Sequence, residues 1–395
     1  MFTFVKYKLG TMDFEKIFQD NKEESLHGRY ITLDKIEPLL KKFNKNNNLD
    51  IIGKSVAGKP IYSYTIGTGK TKILLWSQMH GNEGTTTKAL FDLLNVLNAE
   101  TELAADLKSK FTFLAIPMLN PDGAEKYTRI NANGVDLNRD FQDLTQPESR
   151  LLRGLYDDFK PDYCYNLHDQ RTIFAAGAIN KPATVSFLAP SFNEAREVSE
   201  VRIKAMDVIV AMNTTLQSFI PGQVGRFDDA FNLNCVGDTF TYLGSPTILF
   251  EAGHYQEDYQ REMTRKFIFI ALVSGLKYIY ENDIVLNETE KYFNIPQNKP
   301  VFYDLIYKNI KIFYDNKQII TNFAIQFTEV LNEGKIEFVA FIVEIGELTQ
   351  NFGHFEYDAK GASYSDGQDN IPKLGQKAEF YLSEKVKIVN GLPNV

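Results

Sequence analysis

Four short apolar runs, separated by helix-like segments, constrain the fold of this chain more than any other feature. The runs "KILLWSQM", "FTFLAIPML", "DYCYNL" and "PTILF" are typical of buried strands. Between them lie amphipathic stretches such as "TTTKALFDLLNVLN" and "PESRLLRGLYDDF", and Pro147 suits the first turn of the second stretch. Strands that alternate with helices predict an α/β fold with a doubly wound, mostly parallel (mixed) sheet and helices on both faces.

The pattern changes near residue 285, which predicts a second domain. The later runs "VFYDLIYKNIKIFY", "QIITNFAIQFTEV" and "KIEFVAFIVEIGEL" are strand-like and are joined by turn-like segments. A chain of 395 residues is also long enough for two domains. We therefore predict a helical segment at 1–50 that packs on an α/β domain at 51–288, followed by a small β-domain, a sandwich or barrel, at 289–395.

Composition excludes several classes of partner. The formal charge is −8 with both signs interspersed, and no basic cluster indicates nucleic-acid binding. No apolar run approaches the ~20 residues of a membrane span. The apolar patch before Lys6 is too short for a signal peptide, so we expect a cytoplasmic protein. Cys164 and Cys235 are expected to be free thiols, and without a CxxC pair any metal must rely on His and carboxylate ligands.

Polar residues follow the buried runs where each predicted strand ends. His80 follows the first run, Asn120 the second, His168 the third, and Glu251 the fourth. Ligands of open α/β sheets bind at the carboxyl ends of the strands. Two histidines and a glutamate gathered there could form a zinc site with one open position, as in a catalytic metal centre.

The spacing His-x-x-Glu does not identify the metal ligands by itself, because it occurs twice. His80 and Glu83 form one pair, and His254 and Glu257 form the other. Each pair could equally be the start of a capped helix with a hydrogen-bonded histidine. The choice depends on what lies elsewhere in the chain.

Residues 120–141, "NPDGAEKYTRINANGVDLNRDF", decide between the two pairs. This block follows a His-x-x-Glu pair and precedes a strand-ending histidine and a strand-ending glutamate. Together these elements resemble the zinc carboxypeptidase (M14) family over roughly residues 50–280. The resemblance implies that His80, Glu83 and His168 bind one Zn²⁺ per chain.

The same resemblance assigns roles to five further residues. It implies that Glu251 is the general base and that Arg129 polarises the scissile carbonyl and stabilises the oxyanion. Asn138 and Arg139 would bind the free C-terminal carboxylate of a peptide. Asp136 would hydrogen-bond the imidazole of His80. These roles suit the residue types, since a guanidinium stays charged and matches a planar carboxylate, and a carboxylate fixes the tautomer of a ligating histidine.

Two departures from the family pattern bear on the site. Asp169 follows His168 where a small hydroxyl residue is common in the family, so we expect extra negative charge near the metal, which could alter the rim of the site. No tyrosine lies at a convincing spacing before Glu251. Asp228, Asp229 and Asp238 could favour a basic substrate side chain, or could be solvated loop acids.

The predicted function is a zinc-dependent metallocarboxypeptidase that cleaves the C-terminal amide bond of peptides. The alternative is an N-acyl amino acid deacylase similar to the succinylglutamate desuccinylase and aspartoacylase group, which the strand end "FEAG" and a C-terminal β-domain would allow. "NPDG" with Arg129 favours the peptidase. A non-catalytic binding module would have lost a ligand or the base, and neither is missing. The preferred C-terminal residue, the native metal and the oligomeric state stay open.

Overall fold

The computed structural model describes residues 9–10, 12–45, 48–315 and 317–394. The chain divides into two compact units, one made of residues up to 170 with 183–298, the other of 171–182 with the residues from 299 onward. The domain limits at 50 and 288 stay predictions. We expected a cytoplasmic location because the apolar patch before Lys6 is too short for a signal peptide. That patch lies outside the described residues, so the location also stays a prediction.

A mixed eight-stranded sheet forms the centre of the first unit. Its strands are β1 (Leu49–Lys54), β2 (Pro60–Ile66), β3 (Thr71–Trp76), β4 (Phe111–Ile116), β5 (Tyr163–Asp169), β7 (Val185–Leu188), β8 (Val224–Arg226) and β9 (Thr247–Ala252). They lie in the order β1-β2-β4-β3-β5-β9-β7-β8. The four strands from β4 to β9 in this order are mutually parallel, whereas β2 and β7 pair antiparallel with their inner neighbours. The predicted mixed α/β sheet is confirmed.

Helices cover both faces of this sheet. They are α1 (Phe14–Asn21), α2 (Leu33–Phe43), α3 (Thr85–Asn98), α4 (Glu102–Lys110), α5 (Pro121–Lys126), α6 (Pro147–Phe159), α7 (Glu200–Leu216), α8 (Val236–Tyr242), α9 (Glu262–Glu281) and α10 (Thr289–Phe293). Successive side chains of β3 show why: Ile73 and Leu75 join one apolar cluster with residues of α3 and α9. Leu74 and Trp76 join another with residues of α6 and α8. A strand that is apolar on both faces must be buried on both.

The second unit is mainly β-structure, as predicted for the C-terminal region. One four-stranded sheet has the order β13-β12-β11-β14, another the order β15-β16-β17-β18, and β6 pairs with β10. The bounds are β6 (Phe174–Ala176), β10 (Asn298–Pro300), β11 (Phe302–Tyr314), β12 (Lys317–Asn332), β13 (Lys335–Gly346), β14 (Phe352–Asp358), β15 (Tyr364–Ser365), β16 (Phe380–Leu382), β17 (Val386–Val389) and β18 (Leu392–Pro393). Residues of both four-stranded sheets share one apolar cluster.

Two further observations concern the helices and the cysteines. None of the helices in the described part of the chain has the length and apolar character needed to cross a membrane. Cys164 is buried and Cys235 half-buried, and both are free thiols, as expected.

Candidate metal centre

Two of the predicted metal ligands lie in the tight turn that joins β3 to α3. Gln78, with a φ of 44°, starts the turn, and its side-chain amide donates to the carbonyl oxygens of Ile31 and Gly81, each at 2.9 Å. A Cβ at Gly81 would lie 2.0 Å from the carbonyl carbon of Gly123, so only glycine permits this close backbone approach. The turn is therefore held from both sides, which fixes the direction of the side chains that follow.

The structure brings His80, Glu83 and His168 together in a buried cluster. Their potential ligand atoms all lie within 4.8 Å of one another. Glu83 Oε1 is 2.8 Å from His80 Nδ1, and Glu83 Oε2 is 2.8 Å from His168 Nδ1. The two Nδ1 atoms are 3.1 Å apart. His168 reaches this point from the end of β5, next to β3 in the sheet.

The donor set of the cluster fits a divalent cation. His80 Nε2 lies 3.0 Å from Asp136 Oδ1, so a neutral His80 with its proton on Nε2 donates to Asp136. Its Nδ1 lone pair then faces the Glu83 carboxylate and the other imidazole. Lone pairs and a carboxylate that converge in a buried site repel one another unless a proton on an imidazole or a metal ion lies between them. Two imidazoles and a carboxylate are ligands that zinc accepts.

Electrostatic interactions within the cluster shift the pKa values of its members. Burial lowers the pKa of His80, but the charge of Glu83 and hydrogen bonds to Asp136 and Glu83 outweigh it, so the net shift is upward. Burial raises the pKa of Glu83, yet the charges of both histidines bring it below its ordinary value. For His168 burial dominates and its pKa falls. The carboxylate is thus ionised, as a metal ligand must be.

Asp136 and Arg129 border the cluster on the side of residues 120–141. Arg129 Nε donates to Asp136 Oδ2 at 3.0 Å, and Arg129 Nη1 donates to Glu83 Oε1 at 3.3 Å. The Arg129 side chain is 46% exposed, so the guanidinium reaches the cluster and also meets solvent. Burial raises the pKa of Asp136, but the hydrogen bond from His80 and the neighbouring positive charges hold it well below its usual range.

Glu251 lies beside the cluster, because β9 pairs in parallel with β5 and places Glu251 opposite His168. Its Oε2 is buried and has no hydrogen-bond partner among the described residues. Burial raises the pKa of Glu251 well above its ordinary value, and the negative charges of Glu83 and Asp169 raise it further. A buried carboxyl group with an unused oxygen next to a metal-type cluster can exchange a proton there.

Asn138 and Arg139 form a short 3₁₀ helix directly after Asp136. Asn138 Oδ1 accepts from the backbone N–H of Val236 at 3.0 Å, which fixes this segment against the start of α8. The Arg139 guanidinium is exposed; its Nη1 donates to Asn138 O at 2.6 Å and lies 3.2 Å from Cys235 Sγ. The cysteine contact joins residues 96 positions apart, and nothing in the sequence indicates it.

The second His-x-x-Glu pair does not form such a cluster. Within the described ranges, the group of His80, Glu83 and His168 is the one set of three histidine, cysteine or acidic residues arranged to hold a metal ion. His254 is buried beside the ring of Tyr259, at 4.8 Å between ring centroids, and Glu257 is exposed.

Asp169 adds negative charge beside the cluster, as expected, because its charge raises the pKa of Glu251. Its carboxylate is buried and accepts from the backbone N–H groups of Thr85 and Thr86. Sequence reasoning had not identified this contact.

The three acids considered for substrate recognition all have partners within the protein. Asp229 pairs with Arg202 and Arg196, and Asp228 accepts from the N–H of Ala230. Asp238 is buried on α8 and accepts from the backbone N–H of Asn232 at 3.5 Å.

Part of the chain is similar to known carboxypeptidases. Residues 33–162 match the family model "Zinc carboxypeptidase". Carboxypeptidase 2 of Trichophyton rubrum is 33% identical over 108 residues, which are 27% of this chain and 19% of that protein. Carboxypeptidase SOL1 of Arabidopsis thaliana is 32% identical over 162 residues, 35% of this chain and 33% of that protein. The chain thus spans about a fifth to a third of the curated relatives it matches.

Solved structures show the same fold. A metallo-carboxypeptidase from Burkholderia cenocepacia superimposes with a TM-score of 0.52 at 20% identity, covering 63% of this chain and 69% of that one. Carboxypeptidase A from Helicoverpa armigera gives 0.51 at 15% identity, covering 68% and 80%. About two thirds of the chain therefore has the fold of these metallocarboxypeptidases. Residues 33–162 are similar to the zinc carboxypeptidase family, which confirms the resemblance predicted from the sequence motifs.

Proposed function

We propose that this protein is a zinc-dependent carboxypeptidase that releases the C-terminal residue of peptides. The observation that carries the proposal is the convergence of His80 Nδ1, His168 Nδ1 and the Glu83 carboxylate, with His80 Nε2 oriented by Asp136. His80, Glu83 and His168 would hold one zinc ion. When bound, zinc lowers the pKa of a water to about 7 and polarises a carbonyl group.

The remaining residues surround this position with the groups that amide hydrolysis requires. Glu251, with its unused buried Oε2, would accept the proton of the attacking water and pass it to the leaving amine. The Arg129 guanidinium, exposed in part and within 3.3 Å of Glu83 Oε1, would stabilise the negative charge that develops on the carbonyl oxygen.

Asn138 and Arg139, toward the exposed side of the site, would recognise a carboxylate of the substrate. Arg139 presents its guanidinium to solvent, and its position is fixed through Asn138 and Cys235. A guanidinium fork matches a planar carboxylate, so Asn138 and Arg139 would bind the free C-terminal carboxylate of a peptide. The comparisons do not favour the deacylase alternative.

A hydrolysis screen of the zinc-loaded protein tests the proposal. Peptides with a free C-terminus are compared with the same peptides carrying a C-terminal amide and with N-acyl amino acids. We expect release of the C-terminal residue from the free peptides, at least 100-fold slower for Glu251→Gln. Glu257→Gln, which alters the exposed glutamate of the other His-x-x-Glu pair, should leave the rate unchanged. Cleavage of N-acyl amino acids alone would overturn the proposal.

A further inference from the structure

Helix α3, which begins two residues after Glu83, lacks a capping side chain of its own. The residue before it is Gly84, and a Cβ there would lie 2.9 Å from Ile31 Cγ1 and 3.2 Å from Arg29 O. A serine, threonine or aspartate at this N-cap would have to displace Ile31, so packing disfavours a local capping side chain. The first N–H groups of a helix have no partner within the helix, so the cap must come from elsewhere.

Asp169 provides this cap from a different strand. Its Oδ2 accepts from the N–H of Thr85 at 2.9 Å, and its Oδ1 accepts from the N–H of Thr86 at 3.2 Å. Its own N–H donates to Glu83 Oε2 at 3.2 Å. Asp169 directly follows His168. Asp169 therefore makes three hydrogen bonds that join the end of β5, which carries His168, to Glu83 and the start of α3.

Arg261 links Asp169 and Gln170 to β9, the strand that carries Glu251. Its Nη2 donates to the carbonyl oxygen of Gln170 at 2.6 Å, and its Nη1 donates to that of Ala252, the residue after Glu251. Nη1 also lies 3.9 Å from Asp169 Oδ2, and both side chains are only 2% exposed. The arginine offsets the cost of burying the aspartate charge and ties the end of β9 to the same point.

We propose that Asp169 is a positioning residue of the metal centre, which sets Glu83 against His168 through the N-terminus of α3; the proposal rests on the metal site described above. A ligand set held in place before the metal arrives binds it more tightly, because no ordering of the ligands opposes binding. Asp169 would not touch the metal or the substrate.

Zinc affinity of the metal-free protein, measured by competition with a chelator, separates positioning from simple stability. Asp169→Asn keeps the shape of the side chain but turns an NH₂ group toward a helix N–H. The matched control is Asp207→Asn, a buried aspartate of α7 that accepts from the N–H groups of Leu286, Asn287 and Glu288. Both variants should unfold more easily than the unmodified protein.

Only Asp169→Asn should lose zinc affinity, by about 10-fold to 100-fold, with the control within about twofold. Unchanged affinity in Asp169→Asn, or equal losses in both variants, would overturn the proposal.

A second measurement uses the unmodified protein and does not depend on the folding of a variant. If the cap strengthens zinc binding, saturation with zinc must suppress opening of the cap by the same factor. Amide hydrogen exchange at Thr85 and Thr86 should then slow at least tenfold with zinc, and equal rates with and without zinc would contradict the proposal. Zinc binding that follows these expectations without any peptide hydrolysis would refute only the proposed function. A protein that does not bind zinc would refute both.

Discussion

His80 Nε2 lies 3.0 Å from Asp136 Oδ1, and the opposite nitrogen of the same ring faces Glu83 at 2.8 Å. The His80 imidazole therefore contacts the Asp136 carboxylate through one nitrogen and faces the candidate metal position with the other. The Asp136 carboxylate fixes the proton on Nε2, which keeps the Nδ1 lone pair directed into the cluster.

Asp136→Asn should weaken the metal centre without unfolding the protein. The amide accepts more weakly than a carboxylate and can rotate its NH₂ group toward His80, so the tautomer is no longer fixed. We expect the affinity for zinc, the value of kcat/KM, or both to fall about 10-fold to 100-fold. Asp140→Asn is the control, because Asp140 lies in the same segment but accepts from Thr145 and Gln146. Loss in the control as large as in Asp136→Asn would argue against this role of Asp136.

Zinc should stabilise the folded chain, because the three ligands converge only in the native state. At a free concentration of 100 times the Kd, the free energy of unfolding should rise by about 2.7 kcal/mol. Glu83→Gln, which removes the ligand charge, should abolish the rise, whereas Glu257→Gln should retain it. Urea unfolding with and without zinc measures both effects. A zinc-dependent rise that persists in Glu83→Gln would place the metal elsewhere.

The order of the larger elements could be predicted from sequence because apolar periodicity reports burial on sheet and helix faces. The helix predicted at 85–98 has those bounds, and the one predicted at 147 begins there. A helix start that depends on side-chain contacts is harder to predict from apolar periodicity. Helix α9 begins at Glu262, and Asp258, four residues earlier, accepts from the N–H groups of Glu262 and Thr264.

The candidate site was predictable where residues follow strand ends, since strand order collects those ends at one edge of the sheet. His80, His168 and Glu251 were found in this way. Contacts between distant segments were not predictable, because they depend on tertiary packing. The cap that Asp169 provides to α3 joins residues 84 positions apart, and no local pattern at Gly84 indicates it.

Arg139→Gln should remove recognition of a free C-terminus. Charged hydrogen bonds of this kind contribute about 1.5–3 kcal/mol, so kcat/KM for free peptides should fall about 10-fold to 100-fold. Peptides with a C-terminal amide lack the carboxylate that Asn138 and Arg139 would bind, so their slow cleavage should change little. Arg153→Gln, which alters an arginine paired with Asp157 on α6, is the control. Equal losses for free peptides and amides would show that Arg139 acts on stability or on the chemistry itself.

Asp238 should make the stability of the protein depend on pH near neutrality. Burial raises the pKa of this carboxyl from 3.8 to about 7. Between these values the folded chain keeps a proton that the unfolded chain releases, so stability falls as pH rises through this window, by up to about 1.4 kcal/mol per pH unit. Asp238→Asn cannot ionise and avoids this loss.

The free energy of unfolding of Asp238→Asn relative to the unmodified protein should therefore increase from pH 4.5 to pH 8, and level off above that. Urea unfolding of the metal-free proteins at pH 4.5, 6 and 8 measures the difference directly. Asp143→Asn, an exposed aspartate, controls for the loss of one negative charge and should differ from the unmodified protein by a nearly constant amount. A pH-independent difference for Asp238→Asn would mean that the buried carboxyl ionises as readily in the folded chain as in the unfolded one, because a neighbouring group compensates for its burial.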